Sequence, residues 1–346
     1  MVKSIHLNSL SFGKTNNMIH APICVTTICR AEKFFKCIES LRRCTGAEDT
    51  ELFIGVDYPV KQDHWDGYKK ICEYLPTISG FRAVHILKHT ENLGQSKNVI
   101  TLQKLIRKDY DCYILTEDDN EFSPNFLEYM NQCLEKYRND SRVVRICGYS
   151  YEGWENLRGY SFNAFPMQGF CAWGVGTWFN KRDEYANADF PKINDIINNP
   201  TLVRILFKKK MHVSIHQMMH RTKFKISGSD VRFRCYCAIN DKYCVFPAIS
   251  KVRNLGFDGE STNCVTINTY AKQKIDDTPF FKLDDFEIKH YKQIDSVHDR
   301  HYGGNFLSRL LVRFEYWHWK RTGKVLKDNK FVNRMIKFRI KYVLNK

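Results

Sequence analysis

Three consecutive carboxylates, Glu117, Asp118 and Asp119, follow directly on an apolar run at residues 112–116 of a 346-residue chain. Carboxylates this close repel one another and resist desolvation unless a cation or hydrogen-bond donors offset them. A divalent metal ion is one such partner, and hard carboxylate oxygens suit Mg2+ or Mn2+. A solvated acidic turn has the same local sequence, so the surroundings of the triplet must decide between the two. The run before it is short, apolar and bounded by polar residues, which predicts a strand buried on both faces. The triplet then stands at the strand's carboxyl end, the edge of an open α/β sheet at which ligands bind.

The preceding chain supplies the elements that would position it. Residues 23–28 (ICVTTI) form a β-branched run, followed by Arg30 and by Phe34, Phe35, Ile38 and Leu41 at helical spacing. Residues 52–56 predict a second strand that ends at Asp57 and is stopped by Pro59, and residues 81–87 a third, before a turn at Asn92, Leu93 and Gly94. Ser96 is expected to cap a helix carrying Val99, Ile100, Leu102, Leu105 and Ile106, which leads into the acidic strand. Beyond the triplet, Ser123 and Pro124 read as the N-cap and first residue of a helix with Phe126, Met130, Leu134 and Tyr137 facing inward. Strands alternating with helices predict an α/β fold with a mostly parallel sheet.

Further along, residues 143–146 and 245–249 predict strands, and Ser229 with Asp230 opens a helix over 231–239. Residues 159–180 carry no charge but hold Gly159, Gly169, Gly174, Gly176, Pro166, Asn163 and Gln168, a composition expected of a buried or pocket-lining loop rather than a bilayer-spanning helix. Trp173 and Trp178 in this stretch have two readings, as core residues or as aromatic faces on which a sugar stacks. The first 22 residues have no continuous apolar core, so neither signal peptide nor membrane anchor is expected.

Composition bounds the partners. Lys and Arg number 54 against 38 Asp and Glu, a formal charge of +16, which implies an anionic partner: nucleic acid, a phosphate-bearing small molecule or an acidic membrane surface. The 13 cysteines are odd in number and scattered, several within apolar runs, which argues for a reducing, cytoplasmic setting. Cys235, Cys237 and Cys244 lack the partners of a zinc finger and read as core.

Arg30, Asp57, the turn at Asn92 and Gly94, and the carboxylates all fall at or beyond strand ends, which converge on one crevice in a doubly wound sheet. A nucleotide diphosphate explains the set: Asp57 accepts hydrogen bonds from a base or ribose, Arg30 and Lys97 supply positive charge, and a metal at Asp119 bridges the phosphates. The run NLGQSKNVITLQKLIRKDYDCYILTEDDN resembles the family-2-like glycosyltransferases of the GT-A fold, and its Glu-Asp-Asp form resembles the D-x-D-type motif of the N-acetylglucosaminyltransferase I group. The resemblance covers residues 22–262, including the NLGFDG turn at 254–259. It implies Asp119 as metal ligand, Asp118 facing the donor sugar, Glu117 near the ribose, and Thr27, Arg30, Asp57, Asn92, Gly94 and Lys97 on the donor.

It further implies an inverting transfer from a nucleotide sugar, expected to be a UDP-sugar, to a hydroxyl of a glycan acceptor in surface polysaccharide or glycoconjugate biosynthesis. Such a displacement needs a base, and the matching position is Asp230, although Ser229 stands where similar sequences have Trp, and Asn263 where many have His. Trp173 and Trp178 are the expected acceptor contacts. The expected organisation is a lead-in over 1–20, a nucleotide-sugar-binding half over 21–150, an acceptor-binding half over 151–290 and a basic helical extension over 291–346. That extension, with Leu and Trp interleaved with Lys and Arg, either closes the domain as a charged face or meets anionic lipid headgroups, which suits a lipid-linked acceptor and peripheral attachment at the cytoplasmic face of a membrane. A sugar nucleotidylyltransferase would share the metal and nucleotide chemistry but call for a Gly-rich loop after the first strand, where TTICRAEKF has none. A nucleic-acid-binding protein would explain the charge, but no such motif is present.

Overall fold

The strands alternate their side chains between two separate apolar clusters, so the sheet is buried on both faces. Ile23, Val25, Leu52, Ile54 and Ile114 join the larger cluster, whereas their neighbours Cys24, Phe53 and Tyr113 join a smaller one with Leu102, Ile106 and Phe179. This period of two is what a pleated strand imposes. The computed structural model describes residues 3–4, 20–150, 157, 159–226, 228–256 and 273–326. Most of the lead-in, part of the turn over 254–259, Asn263 and the end of the basic extension lie outside the described residues.

The strands are β1 (Lys3–Ser4), β2 (Ile23–Thr27), β3 (Glu51–Val56), β4 (Ala83–Lys88), β5 (Cys112–Glu117), β6 (Asn120–Phe122), β7 (Val143–Cys147), β8 (Ala164–Met167), β9 (Val175–Trp178), β10 (Tyr243–Pro247) and β11 (Val252–Asn254). The helices are α1 (Ala31–Arg42), α2 (Trp65–Tyr74), α3 (Gln95–Ile106), α4 (Phe126–Lys136), α5 (Phe179–Asn187), α6 (Ile193–Asn198), α7 (Pro200–Lys208), α8 (His212–Phe224), α9 (Ser229–Ile239), α10 (Lys292–His298) and α11 (Phe306–Thr322). Nine strands form one sheet in the order β1-β4-β3-β2-β5-β9-β7-β10-β8, and β6 pairs with β11 in a separate ribbon. Strands β2, β3, β4, β5, β7 and β10 point one way, and β1, β8 and β9 run against them. The protein is thus an α/β protein with a mostly parallel sheet flanked by helices, as expected.

The chain leaves β2 in one direction, through β3 and β4, and returns to pair β5 against the other side of β2. This reversal opens a crevice beyond the carboxyl ends of β2 and β5. Helix α3 feeds β5 from the face of the smaller cluster and lies directly on Gly55 of β3. Asn98 of α3 donates to the Gly55 carbonyl at 3.0 Å and meets His89 Nε2 at 3.0 Å through Oδ1.

Three local expectations are corrected. The uncharged stretch over 159–180 is not a loop throughout: it contributes β8 at the sheet edge and β9 between β5 and β7, whose burial explains its lack of charge. Ser96 does not cap α3; Gly94 occupies that position at φ 73°, ψ 155°, without a side-chain cap. Ser123 and Pro124 do not open α4: they follow β6 and lead into Asn125, which is the N-cap, with the Ser123 hydroxyl donating to Asn125 Oδ1 at 3.0 Å.

A Cβ at Gly55 would stand 2.1 Å from Asn98 Oδ1. Gly55→Ala is therefore expected to lower stability by about 1–3 kcal/mol through overpacking. Urea unfolding checks this, and Asn98→Ala in the same background should recover part of the loss.

Candidate active site

The β2/β5 crossover point sets the loop after Thr27 against the carboxylate triplet. Arg30, the N-cap of α1, reaches across it: Nη1 lies 2.8 Å from Asp119 Oδ2 and Nη2 pairs with Asp118 Oδ1. Burial opposes the guanidinium charge, but the two carboxylates raise its pKa above the ordinary value. Thr27 Oγ1 donates to Asp118 Oδ2 at 2.7 Å. Asp118 and Asp119 are both buried. Burial and the neighbouring Asp119 push the Asp118 carboxyl upward against the pull of Arg30.

Asp119 is fixed from a second direction by the β6–β11 ribbon, which pairs Asn120 with Asn254. Asn254 Nδ2 donates to Asp119 Oδ1 at 3.1 Å and to Asn120 Oδ1 at 3.0 Å, and the Leu255 amide donates to the Asp119 carbonyl at 2.7 Å. Gly256 stands so close that a Cβ there would lie 2.2 Å from Asp119 Oδ2. Glu117 faces the other way, accepting from Gln95 Nε2 of α3 at 2.6 Å. Burial and the Asp119 charge push its carboxyl up to about 7.

The donor chemistry of this cluster fits a divalent cation. Arg30 pairs with Asp118 and Asp119 while Glu117 stands beside them, and burial, with the neighbouring carboxylates adding to it, raises the pKa of Glu117 and Asp118. The three carboxylates do not converge as a cage: Glu117 turns to α3, Asp118 to β2 and Asp119 to β11. One carboxylate, Asp119, with phosphate oxygens and water completing the shell, is how Mg2+ and Mn2+ are commonly held beside a substrate diphosphate.

The remaining expected donor contacts lie along the same sheet edge. Asp57 is buried and its Oδ1 accepts from the amides of Tyr58 at 2.9 Å and Leu93 at 2.8 Å, while Asn92 Nδ2 donates to the Tyr58 carbonyl at 2.7 Å. Together they tie the turn before α3 to the loop after β3. Lys97 is exposed in the first turn of α3.

Asp230 is exposed in the first turn of α9, and α9 leads into β10, which is parallel to β7. A helix that packs back along the strand it feeds places its N-terminus over that strand's carboxyl end. The Asp230 charge also contributes to raising the pKa of Cys171, in the loop before β9, although burial is the main cause. Trp173 in that loop is partly buried and packs edge-on against Tyr149 with ring centroids 4.6 Å apart.

Trp178 is a correction. It pairs with Cys112 at the amino end of β5, the opposite edge of the sheet from the triplet. It is 2% exposed, donates from Nε1 to the Leu134 carbonyl at 3.1 Å and lies under Lys181 Nζ at 3.7 Å. Trp178 is a core residue, because β9 turns the Gly-rich loop back into the sheet. Three residues absent from the expected site belong to it: Gln95, Asn254 and Gly256. The turn over 254–259 was visible in the sequence; its reach to Asp119 depends on the β6–β11 pairing.

No family model and no curated protein matches the sequence. Among solved structures, the mannosyltransferase PcManGT from Pyrobaculum calidifontis, in complex with GDP-Man and Mn2+, is 15% identical over 50% of this chain and 47% of its own, with a TM-score of 0.33. S. aureus TarS 1-349 is 13% identical over 50% of each chain, with a TM-score of 0.34. GalNAc-T7 with UDP, GalNAc and Mn2+ is 11% identical over 69% of this chain and 44% of its own, with a TM-score of 0.39. The chain thus spans about half or less of the length of each.

A carboxyl whose folded pKa is raised to about 7 from an ordinary 4.5 contributes stability below pH 4.5 that is lost as pH rises through about 7. A bound divalent cation favours the ionised form. Mn2+ binding near pH 6 is therefore expected to release protons, and to tighten as pH rises to 7. Calorimetric titration in two buffers of different ionisation enthalpy checks this, and Glu117→Gln should diminish the release.

Proposed function

We propose that this chain is a metal-dependent, inverting glycosyltransferase of the GT-A type, moving a sugar from a nucleotide donor, a UDP-sugar, to a hydroxyl of a glycan acceptor in surface polysaccharide or glycoconjugate biosynthesis. The observation that carries this reading is the buried Asp118–Asp119 pair at the β2/β5 crossover, bridged by Arg30 and held by Thr27 and Asn254. Residues 21–150 bind the donor and residues 151–290 the acceptor.

Asp57 and Asn92 hold the loops that receive the nucleoside, Arg30 and Lys97 offset phosphate charge, Asp118 orients the sugar and Glu117 faces the ribose. Asp119 would hold Mn2+ or Mg2+, which when bound neutralises the charge developing on the diphosphate. Asp230 takes the proton of the acceptor hydroxyl as its oxygen bonds to the anomeric carbon, while the bond from that carbon to the diphosphate oxygen breaks and its electron pair leaves with the nucleotide diphosphate. Attack opposite the leaving group inverts the anomeric configuration. Trp173, at the same sheet edge, offers the acceptor an aromatic face.

Helix α11 bears on where this occurs. Leu307, Leu310, Phe314 and Trp317 follow one another at helical spacing and, with Phe306, are all exposed. Lys320 and Arg321 are exposed beside them, and the Arg321 guanidinium lies 4.0 Å from the Trp317 ring centroid. An apolar stripe edged by basic residues suits an anionic bilayer surface and hence a lipid-linked acceptor. No helix among the described residues is long and apolar enough to cross a membrane.

A screen of nucleotide sugars for Mn2+-dependent hydrolysis tests the donor reading. Asp119→Ala is expected to lose more than about a hundredfold in rate. Asp230→Asn should lose transfer while retaining donor binding, and unchanged turnover with chelator present would sink the metal role. Flotation with anionic vesicles is expected to carry the intact protein but not a Phe314→Asp, Trp317→Asp variant; equal flotation of the two would remove the membrane reading.

A further inference from the structure

A second cluster of metal-ligating side chains lies away from the carboxylate triplet, in the seam between α8 and α11. His216 and His220 stand four residues apart on one face of α8, with ring centroids 4.3 Å apart. Glu315 projects from the buried face of α11 between Val312 and Trp319. His216 Nδ1 lies 2.6 Å from Glu315 Oε2 and His220 Nε2 lies 3.2 Å from Oε1, and the ligand atoms of all three lie within 4.8 Å of one another. Among the described residues this is the one group of three or more His, Cys, Asp or Glu side chains that converges in this way.

The physical problem is the buried carboxylate. The Glu315 side chain is 5% exposed, and the two imidazoles that satisfy its hydrogen bonds balance its charge only when one of them is protonated. A divalent cation balances that charge and uses both nitrogens. Two imidazoles and one carboxylate, with one open position, are a familiar zinc ligand set, and imidazole nitrogen favours Zn2+ over the Mn2+ and Mg2+ that oxygen-only sites select. Tetrahedral bonds of about 2.0–2.1 Å require ligand atoms about 3.3 Å apart, so the cluster is within a small side-chain adjustment of that geometry. The imidazoles are 24% and 29% exposed, which gives an ion access to the seam from solvent. His212, one turn earlier on α8, is buried against Phe207 and lies outside the set.

We propose that His216, His220 and Glu315 form a zinc site that pins α11 to α8, independent of the site at Asp119. Bound there, the ion fixes the helix whose outer face carries the exposed apolar stripe.

The test uses the full chain, stripped with chelator and titrated with Co2+ and then Zn2+. One Co2+ per chain should give the visible absorption of four-coordinate cobalt without the thiolate charge-transfer band that the cysteines would produce, and Zn2+ should displace it. The signal should disappear in His220→Gln and Glu315→Gln, which keep hydrogen-bonding groups in the seam, and persist in Asp119→Ala. Zn2+ should also raise the Tm of the wild-type chain and not of His220→Gln, with circular dichroism confirming that each variant is folded. A thiolate band, a signal that survives His220→Gln, or no saturable Zn2+ binding in the micromolar range would overturn the proposal and leave the cluster a hydrogen-bonded His-Glu-His group.

Discussion

The contact on which the site depends is the Arg30 guanidinium laid across Asp118 and Asp119. Two buried carboxylates in adjacent positions are tolerable only with opposite charge against them, and that charge comes from the loop after β2 because β2 and β5 are hydrogen-bonded neighbours. The parallel register that aligns Thr26 with Glu117 carries Thr27 to Asp118 and Arg30 to the far side of both carboxylates. Two further supports hold the triplet from outside the sheet. Packing of α3 on Gly55 sets Gln95 against Glu117, and the β6–β11 ribbon sets Asn254 and Gly256 against Asp119.

Behind the ribbon, the extended stretch over 276–285 lies along α4, whose outward polar residues serve it as a row of hydrogen-bonding groups. Asn125 donates to Asp276 and Thr278, Gln132 donates to the Phe281 carbonyl and accepts from the Leu283 amide, and Lys136 pairs with Asp285. Lys251, 1% exposed, pairs with Asp276 and sits over the Phe281 ring at 4.6 Å. Such a buried pair owes its persistence to complete pairing rather than to net attraction. It anchors the residues just before β11, and through them the partner strand of Asn120.

The basic C-terminal region divides its charge more finely than its composition implies. Arg309 pairs with Asp299 at 2.6 Å and Arg313 stacks on Phe207 at 4.5 Å, so both help to seat α11 on the body of the protein. The apolar residues Phe306, Leu307, Leu310, Phe314 and Trp317 are left outward. Net charge alone could not distinguish arginines that pack from arginines available to a partner, because the same side chain serves both uses.

Much of the frame was legible in the chain. The apolar run ending at Glu117, the β-branched strand before Arg30 and the helical spacing after it are local patterns, and local patterns determine element type and order. They brought Thr27, Arg30, Asp57, Asn92 and the triplet to one edge, since strand ends in a mostly parallel sheet share an edge. What failed was whatever depended on strand direction or on a partner distant in sequence. Trp178 and Trp173 differ by only five residues, yet one end of β9 meets the carboxylate edge and the other the opposite edge, a consequence of its antiparallel pairing with β5. Asn254 and Gly256 lie in a turn that the sequence displayed, but their meeting with Asp119, like that of Gln95 with Glu117, depends on tertiary pairing, and the His216–His220–Glu315 cluster joins residues about a hundred positions apart through the packing of two helices. The sequence by itself determined which side chains could do chemistry, because residue type and local period are written in it. Only the tertiary structure decided which of them meet, because pairing direction and helix packing are set by burial summed over the whole chain.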